Sequence, residues 1–364
     1  MPTRPAEHSA LAETLRRNTA PGTLWNPIAG KKDWVHCHAC GHDCRIPPGQ
    51  DGICKVRFND AGTLQVPWGY VAGLQCDPLE KKPFFHVLPG REALSFGMLG
   101  CDYHCSYCQN WITSQAMRDT EAVAPITQVN IHDLVDLARR QQAVAVISTY
   151  NEPLITSEWA VAIFAEARRQ GLLTGFVSNG NATQQALDYL RPHTDLFKID
   201  LKSLNPARYR ELGGVLDRVL ETIQGACQRG FWVEVVTLVV PGFNDSPAEL
   251  TGIAEFLASV SPDIPWHVTA FHPNYRMKDP APTPVATLAA AVARGRDAGL
   301  NHVYAGNLPG QVEGAENTCC SQCGGLLVQR RGYDIIAIRL AGSSCPDCHA
   351  PVPGVWDLPP TTGG

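Results

Sequence analysis

The sequence predicts an α/β protein in which a full or partial β/α barrel carries a small metal-binding segment at each end. Apolar, β-rich runs alternate with amphipathic helical patterns through the middle of the chain, and eleven of the fourteen cysteines fall into three groups. Such alternation requires parallel strands joined by right-handed crossovers. A doubly wound open sheet is the alternative, and in both folds ligands bind at the carboxyl ends of the strands. We expect a cysteine-rich segment over residues 1–90, a barrel over 91–312, and a ribbon with a tail over 313–364.

The barrel is predicted from six clear strands, a weaker seventh and six helices. The strands are expected at Ala93–Leu99, Ala143–Ser148, Leu172–Ser178, Leu196–Leu201, Trp232–Val240, Trp266–Phe271 and, more weakly, His302–Ala305. The helices are expected at Ile131–Gln142, Glu158–Gln170, Thr183–Leu190, Leu216–Arg229, Pro247–Val260 and Val285–Ala298. Six or seven such units indicate a barrel.

The N-terminal segment shows no long helical periodicity and contains the first cysteine group. Clustered cysteines in a reducing compartment are typically metal ligands. Four thiolates can hold zinc or a second iron–sulfur cluster, and the short segment without a ferredoxin repeat slightly favours zinc. Histidines interleave with the cysteines and can replace one of them. The group is Cys37, Cys40, Cys44 and Cys54, with His36, His38 and His42 between or beside them.

The second cysteine group directly follows the first predicted barrel strand. Cys101, Cys105 and Cys108 have the spacing C-x3-C-x2-C, with Tyr107 before the last cysteine. A four-iron cube normally takes four thiolates, so three leave one iron open to a small molecule that brings its own ligands. A zinc loop is the alternative, but zinc sites favour pairs of C-x2-C hooks. This pattern is identified as the signature of the radical S-adenosylmethionine (SAM) enzymes.

Polar residues at the ends of the following strands are candidates to hold such a ligand. Glu152, in Asn-Glu-Pro, can accept hydrogen bonds from an ammonium group, although the same tripeptide can cap a helix. Asn179 can serve a ribose or a carboxylate, although Asn-Gly is also a common turn. Asp200 and Lys202 share a parity and face one side of their strand, where a surface salt bridge is the alternative. Two histidines, His267 and His272, bracket the sixth strand, and the sequence does not distinguish between them.

The last cysteine group has the pattern of a zinc ribbon. Two C-x2-C hooks flank the β-like stretch Leu326–Leu340, and the ligands are Cys320, Cys323, Cys345 and Cys348. Structural zinc is therefore favoured over a rubredoxin-like iron or another cluster. Such a site supplies folding energy to a segment with too little core of its own.

Composition narrows the class of protein. The apolar fraction of 44% is ordinary for a globular chain, and a net charge of −5 provides no general attraction to nucleic acid or anionic membranes. The N-terminus lacks the apolar run of a signal peptide, and no stretch approaches the length of a membrane span. We therefore expect a cytoplasmic protein, with a local basic patch for RNA not excluded.

The chain resembles the radical SAM enzymes of the AmmeMemoRadiSam system, relatives of the pyruvate formate-lyase activating enzymes. The resemblance covers nearly the whole chain and includes several motifs. They are Cys37–Arg57, Asp77–His86, Gly100–Asn110, Tyr150–Pro153, Asp200–Ser203, Ala305–Asn307 and the ribbon ending at Trp356. Two departures are minor: Cys76 is an extra cysteine, and Cys319 stands where an aromatic residue is more usual.

The resemblance implies a partial (β/α)6-type TIM barrel of the radical SAM class, a [4Fe-4S] cluster, SAM and zinc. It implies that SAM is held by Tyr107, Glu152, Asn179, Asp200, Lys202 and one of the two histidines, with His267 preferred. The implied reaction cleaves SAM reductively to a 5′-deoxyadenosyl radical, which removes hydrogen from a substrate. The partners implied are a low-potential donor of flavodoxin or ferredoxin type and an accessory or substrate protein. Alternatives are radical modification of RNA or a metabolite, and a non-catalytic electron carrier.

Overall fold

The centre of the protein is an open, eight-stranded sheet that curves into a partial barrel. The computed structural model describes residues 10–122 and 124–358, so residues 1–9 of the predicted N-terminal segment and residues 359–364 of the tail lie outside it. The strands in chain order are β1 Thr19–Pro21, β2 Trp25–Pro27, β3 Val35–Cys37, β4 Arg45–Ile46, β5 Phe58–Asp60, β6 Thr63–Pro67, β7 Tyr70–Val71, β8 Gly73–Pro78, β9 Glu92–Gly97, β10 Thr127–Gln128, β11 Ala145–Ser148, β12 Leu173–Ser178, β13 Leu196–Asp200, β14 Trp232–Val239, β15 Trp266–Ala270, β16 Val303–Gly306, β17 Thr318–Cys319, β18 Leu326–Arg331 and β19 Asp334–Ile338.

Helices connect the parallel strands on the outside of the sheet. The α-helices are α1 Ala10–Arg17, α2 Trp111–Ser114, α3 Ile131–Arg140, α4 Ser157–Arg169, α5 Gln184–Leu190, α6 Pro206–Leu212, α7 Leu216–Gln228, α8 Pro247–Val260 and α9 Val285–Asp297, and short 3-10 turns cover Leu79–Lys81, Pro153–Thr156 and Arg191–His193. Among the described residues, none of these helices combines the length and apolar character needed to cross a bilayer.

The sheet order is β16-β15-β14-β13-β12-β11-β9-β8. The first seven of these strands are parallel neighbours, and β8 pairs with β9 in the antiparallel sense. Six β/α units followed by β16 make the partial (β/α)6-type barrel that the sequence predicts, and the fold prediction is confirmed. Each predicted strand and helix is present, with ends displaced by two residues or fewer.

Local sequence determines where several of these helices begin. The side chains of Asn130, Thr183 and Ser246 each accept a hydrogen bond from a backbone N–H three residues ahead, at the starts of α3, α5 and α8. Such caps satisfy backbone donors that lack a partner in the first turn. Pro247 follows at the first position of α8, where its missing N–H has no cost.

The antiparallel strand β8 and the helix α6 were not predicted. All six residues of β8 are at least partly exposed, because this strand lies at the edge of the sheet, and its alternation is short, with only Leu74 and Cys76 packed against the core. Its assignment depends on pairing with β9, from Gly73 opposite Gly97 to Pro78 opposite Glu92. Pairing between distant residues is not visible in a local pattern.

The N-terminal segment folds as small sheets against the barrel. Strands β2, β3 and β4 form one sheet, and β1, β6 and β5 form another. A buried ion pair joins this segment to α4: the guanidinium of Arg57 donates to both oxygens of Glu158 at 2.7 Å. The predicted segment is therefore tied to the barrel by charge as well as by apolar packing.

The C-terminal segment packs against the residues that follow β8. Strands β17, β18 and β19 form an antiparallel sheet that carries the last cysteine group. Arg330 on β18 donates to the carbonyl of Phe85 at 2.6 Å, and Val355 N donates to the carbonyl of His86 at 2.8 Å. The end of the motif Asp77–His86 therefore contacts the C-terminal segment directly.

Candidate active site

The cysteine loop begins directly after β9, at the carboxyl edge of the sheet. Gly100 precedes the first cysteine with φ +96°, a conformation that favours glycine. A Cβ at this position would lie 2.9 Å from Val56 Cγ1 and 3.3 Å from the carbonyl oxygen of Cys54. The loop is therefore pressed against the N-terminal segment, and only glycine fits at this contact.

The three cysteines of the loop lie in a sheltered position. Cys105 is buried, and Cys101 and Cys108 are half-buried. Tyr103 N donates to Cys101 Sγ at 3.3 Å, and Cys108 Sγ lies 3.1 Å from Ser114 Oγ. Burial raises the pKa of Cys105 to about 12, so a thiolate here requires a strong cationic partner. A metal cluster provides such a partner, and the donor set fits one.

A cavity of about 510 Å³ opens beside the cysteine loop, within the range of small-molecule sites. The predicted site residues face one another across it. Those that line it are Cys101, Cys105, Tyr107, Cys108, Glu152, Asn179, Asp200, Lys202 and His267. Residues from the N-terminal segment, including Asp77, Lys81 and Lys82, close its other side. The structure thus gathers residues that are more than 160 positions apart in the chain.

Glu152 is a buried carboxylate that already holds three protein donors. Its Oε1 accepts from Leu154 N at 3.0 Å and from Ser178 Oγ at 2.7 Å, and its Oε2 accepts from Asn179 N at 2.8 Å. Burial and the nearby Asp102 carboxylate raise its pKa. The carboxylate retains capacity for a further donor, and a cation in the cavity would favour its charged form. The capping alternative is confirmed, because Glu152 caps the following 3-10 turn, and a role toward an ammonium group stays a prediction.

Asn179 lines the cavity and also forms hydrogen bonds with other residues of the protein. Its Nδ2 donates to Asp102 Oδ1 at 2.7 Å, and its Oδ1 accepts from Asn181 N at 2.9 Å. Asp102 is fully buried and also accepts from Asn181 Nδ2 at 2.8 Å. The side chain of Asn179 therefore positions the residue that follows Cys101.

Asp200 lies between two lysines. Lys202 Nζ donates to Asp200 Oδ2 at 3.1 Å, and Lys198 Nζ contacts the other carboxylate oxygen. Burial alone would raise the pKa of Asp200, but the two ammonium groups outweigh it and lower the pKa to about 2. The three residues alternate along β13 and point to the same side. The group carries one net positive charge, which suits an anionic ligand group.

The two histidines have different positions. His267 lines the cavity, where its Nε2 lies 2.7 Å from Glu234 Oε2, and its ring stacks on Tyr304. His272 is exposed beyond the end of β15. Tyr107 is buried, with its ring edge-on to Phe243 at 5.6 Å.

Sequence reasoning missed Lys198, Asp102 and the charged residues at the far side of the cavity. Lys198 could have been predicted, because it alternates along the strand with Asp200 and Lys202 and so faces the same side. Asp102 offered no local signal, since its importance comes from partners on the loop after β12. Asp77 and Lys82 belonged to a quoted motif, but their place in the cavity follows only from β8 pairing beside β9.

Comparison with known proteins agrees with this geometry. The model of the Radical SAM superfamily matches residues 97–256, which include the cysteine loop, Glu152, Asn179, Asp200 and Lys202. An uncharacterised protein of Methanocaldococcus jannaschii is 36% identical over 309 residues, which cover 84% of this chain and 90% of that protein. The chain belongs to the radical SAM superfamily.

More distant similarities are found among the activating enzymes. The isethionate sulfite-lyase activating enzyme of Oleidesulfovibrio alaskensis is 25% identical over 185 residues, which cover 48% of this chain and 59% of that protein. A solved domain of a pyruvate-formate lyase-activating enzyme from Bacteroides vulgatus is 20% identical, with a TM-score of 0.40 over 44% of this chain and 98% of that domain.

As a radical SAM protein, the chain binds a [4Fe-4S] cluster and SAM. The donor set described above fits such a cluster, because three sheltered cysteines face a cavity of suitable size.

The C-terminal cysteines have a different geometry. All four sulfur atoms lie within 4.8 Å of one another, with Cys320 Sγ 3.6 Å from Cys348 Sγ and Cys323 Sγ 3.7 Å from Cys345 Sγ. Cys319 is exposed and outside this group, in agreement with the C-x2-C spacing. The four cysteines form a group that can bind a single metal ion.

Proposed function

We propose that this protein is the radical SAM enzyme of an AmmeMemoRadiSam system and that it removes hydrogen from a partner protein. The [4Fe-4S] cluster would be held by Cys101, Cys105 and Cys108. When bound and reduced by a low-potential electron donor, the cluster would supply the one electron that cleaves SAM to methionine and a 5′-deoxyadenosyl radical. The barrel residues orient SAM and exclude water from the radical.

The observation that carries this proposal is the shared cavity. Three cysteines with an open fourth position border the same space as an acidic residue and a cationic group. SAM carries an ammonium, a carboxylate and a ribose on one chain, and the cavity offers complements for each charged group. In this assignment Glu152 faces the ammonium, and Lys202 with Lys198 faces the carboxylate.

The remaining residues orient these groups. Asp200 holds the two lysines in place through its carboxylate. Asn179 supports the cysteine loop through Asp102. His267 lines the cavity and is held in place by Glu234. Tyr107 is buried beside the cysteines and would exclude water from the cluster.

The size of the cavity supports a macromolecular substrate. In this proposal the cluster and SAM share the cavity of about 510 Å³. The hydrogen donor must then reach the cavity from outside, as a loop or chain terminus of a partner can do. Activating enzymes among the relatives point in the same direction, since their names place a lyase as the protein they activate.

We also propose that the C-terminal cysteines bind structural zinc. Tetrahedral zinc at about 2.3 Å from each ligand keeps sulfur atoms about 3.8 Å apart. The distances of 3.6 and 3.7 Å in this group agree with that value. The surrounding core is small, which is the situation in which a metal ion contributes folding energy.

The first experiment measures turnover of SAM. Anaerobically reconstituted protein is mixed with SAM and dithionite, and 5′-deoxyadenosine is quantified by chromatography. The wild type should form it, and Cys105→Ala should not. Cys227→Ala is the matched control, because this cysteine lies outside the three groups and should leave turnover intact. Absence of 5′-deoxyadenosine from the wild type would contradict radical catalysis.

The second experiment identifies the class of substrate. Protein, RNA and metabolite fractions from deuterium-grown host cells are each added to the reaction, and deuterium in 5′-deoxyadenosine is measured by mass spectrometry. Transfer from the protein fraction supports the proposal. Transfer from the RNA or metabolite fraction instead would refute the partner-protein assignment while leaving the radical SAM chemistry in place.

A further inference from the structure

A second group of two lysines and one aspartate lies on the side of the cavity away from the cysteine loop. Lys82 Nζ donates to Asp77 Oδ2 at 2.9 Å, and Lys81 Nζ donates to Asp77 Oδ1 at 2.7 Å. All three residues line the cavity. The group carries one net positive charge, as the group around Asp200 does. It belongs to the motif Asp77–His86, to which the proposed reaction gives no role.

The two charged groups lie in different parts of the barrel. Asp77 pairs with Ala93 near the start of β9, whereas the cysteine loop follows the end of that strand. The strand from Ala93 to Gly97 spans about 13 Å. In the sheet, β8 and β13 are also separated by β9, β11 and β12. SAM has a single carboxylate, which the proposed function assigns to the lysines beside Asp200, so the group at Asp77 is left for another anion.

Lys82 is a buried ammonium group whose charge is only partly balanced. Its side chain is 5% exposed, and its Nζ donates to the Tyr150 hydroxyl at 3.1 Å as well as to Asp77. Among the described residues, these contacts use two of its three N–H groups. Burial lowers the pKa of Lys82, although Asp77 acts in the opposite direction. An anion that accepted the third N–H would therefore stabilise the charged form of Lys82.

Tyr150 is held beside Lys82 by an unusual local structure. Its φ is +69°, in the left-handed region that a residue with a Cβ seldom adopts. Its ring crosses the paired Gly73 and Gly97, where an added Cβ would lie 3.2 and 3.0 Å from the ring carbon Cδ2. The two glycines therefore make the slot through which the side chain reaches from the loop after β11 to Lys82. Strained residues of this kind cluster at binding sites.

The group lies where the cavity opens to solvent. Lys81 and Tyr333 both line the cavity, and 48% of the Lys81 side chain and 46% of Tyr333 are exposed. Tyr333 lies on the turn between β18 and β19, so the C-terminal segment contributes one wall of the opening. A ligand that enters here meets a positive charge and an aromatic ring.

We propose that Lys82, together with Lys81 and Asp77, binds a carboxylate of the substrate. A carboxylate is a monoanion that matches the single net positive charge of the group, and its two oxygens can accept from both ammonium groups. It belongs to the segment of the partner protein that carries the abstracted hydrogen, either as an acidic side chain or as the chain terminus. The identity of the ligand as substrate rests on the proposed function, whereas the anion site does not.

Binding is tested with small molecules on reconstituted protein that is saturated with SAM and kept without reductant. N-Acetylglycine represents a chain terminus, the α-amide of N-acetylaspartate represents an acidic side chain, and N-acetylglycinamide is the neutral control. Dissociation constants are measured by saturation-transfer NMR. At least one of the carboxylates should bind more tightly than the neutral amide. Lys82→Met should weaken this binding about tenfold or more, the loss expected for a hydrogen bond between charged groups.

Two further variants complete the binding test. Lys32→Met is the matched control, because Lys32 is exposed and does not line the cavity, and its affinity should equal that of the wild type. Lys81→Glu keeps the buried Lys82 and changes only an exposed side chain, so it tests the site even when Lys82→Met does not fold. It reverses the net charge of the group and should also weaken binding about tenfold.

The outcomes of the binding test are distinct. The carboxylate that binds more tightly identifies the source as a terminus or a side chain. Equal affinity for the acids and the neutral amide, or unchanged affinity in both Lys82→Met and Lys81→Glu, would overturn the proposal. Methyl phosphate is titrated in parallel, and tighter binding of this molecule than of either carboxylate would also overturn it, since the site would then favour a phosphate ligand.

The role toward the substrate is tested with the protein fraction from deuterium-grown cells. The ratio of deuterium transferred to SAM cleaved should fall about tenfold in Lys81→Glu and stay at the wild-type value in Lys32→Met. An unchanged ratio in Lys81→Glu would overturn the role in substrate binding. A wild type that binds the carboxylate but forms no 5′-deoxyadenosine contradicts the proposed function and leaves the anion site standing. A wild type that cleaves SAM but binds neither carboxylate contradicts the anion site alone.

Discussion

The ion pair between Arg57 and Glu158 provides a quantitative test of how the N-terminal segment is attached. Both side chains are almost fully buried, at 1% and 4% exposure, and they form two parallel hydrogen bonds of 2.7 Å. Burial would raise the pKa of Glu158, but the guanidinium of Arg57 outweighs it and lowers that pKa. Replacing Arg57 with Met leaves the carboxylate buried without its cation.

The expected loss in the free energy of unfolding follows from the burial of the ion pair. Removing one partner of a buried pair costs about 3 to 5 kcal/mol. A chain of this length has an unfolding entropy of roughly 0.8 kcal/mol per kelvin, so the melting temperature of Arg57→Met should fall by about 4 to 7 °C. Differential scanning calorimetry of the reconstituted protein measures this change. Arg17→Met is the control, because Arg17 forms an exposed pair with Glu13 and should shift the temperature by less than about 1 °C.

A double variant tests whether the uncompensated charge of Glu158 causes the lower melting temperature of Arg57→Met. Glu158 also accepts from the backbone N–H groups of Thr23 and Leu24, and glutamine preserves that acceptor without the charge. Arg57→Met with Glu158→Gln should therefore recover more than half of the temperature lost in Arg57→Met. If the double variant melts at the sum of the two single losses, the reasoning about the buried carboxylate is refuted.

Further predictions concern the active site and the ribbon. Gly100→Ala introduces a strained φ and a contact with Val56, so we expect a loss of about 1 to 3 kcal/mol and a lower iron content, measured by calorimetry and metal analysis. Glu152 has a raised pKa, so the folded protein binds more protons than the unfolded chain above about pH 4.5, and stability should fall as pH rises from there toward neutrality. Glu152→Gln should abolish that slope in melting temperature, and an unchanged slope would contradict the assignment. Asp200→Asn removes a carboxylate whose pKa is lowered to about 2, so the folded protein should lose about 2 kcal/mol of stability at neutral pH. The same variant should bind SAM more weakly in equilibrium dialysis, and an unchanged affinity would remove Asp200 from the proposed site. Cys345→Ser should lose zinc and expose the ribbon to proteolysis while iron is retained, and retention of zinc would show that the ligand set is wrong.

The class of fold and the central cysteine motif were predictable from the order of residues along the chain. The strands and helices were predictable because apolar periodicity is local, as in Trp232–Val239 followed by Pro247–Val260. The three cysteines of the active-site loop were predictable because ligand spacing within one loop is written directly in the chain. The C-terminal hooks were predictable for the same reason, and their common location is confirmed by the short distances between their sulfurs.

The contacts between the three segments could be read only from the folded protein. The pairing of β8 with β9 brings Asp77 and Lys82 to the cavity, and it depends on residues outside any local pattern. Asn179 lines the cavity as predicted, and only the fold shows that its amide also donates to Asp102, which the sequence did not single out. The N-terminal cysteines left zinc and a cluster open, because spacing along the chain does not fix distances between sulfur atoms. Those distances depend on packing between separate loops, which is a property of the folded protein alone.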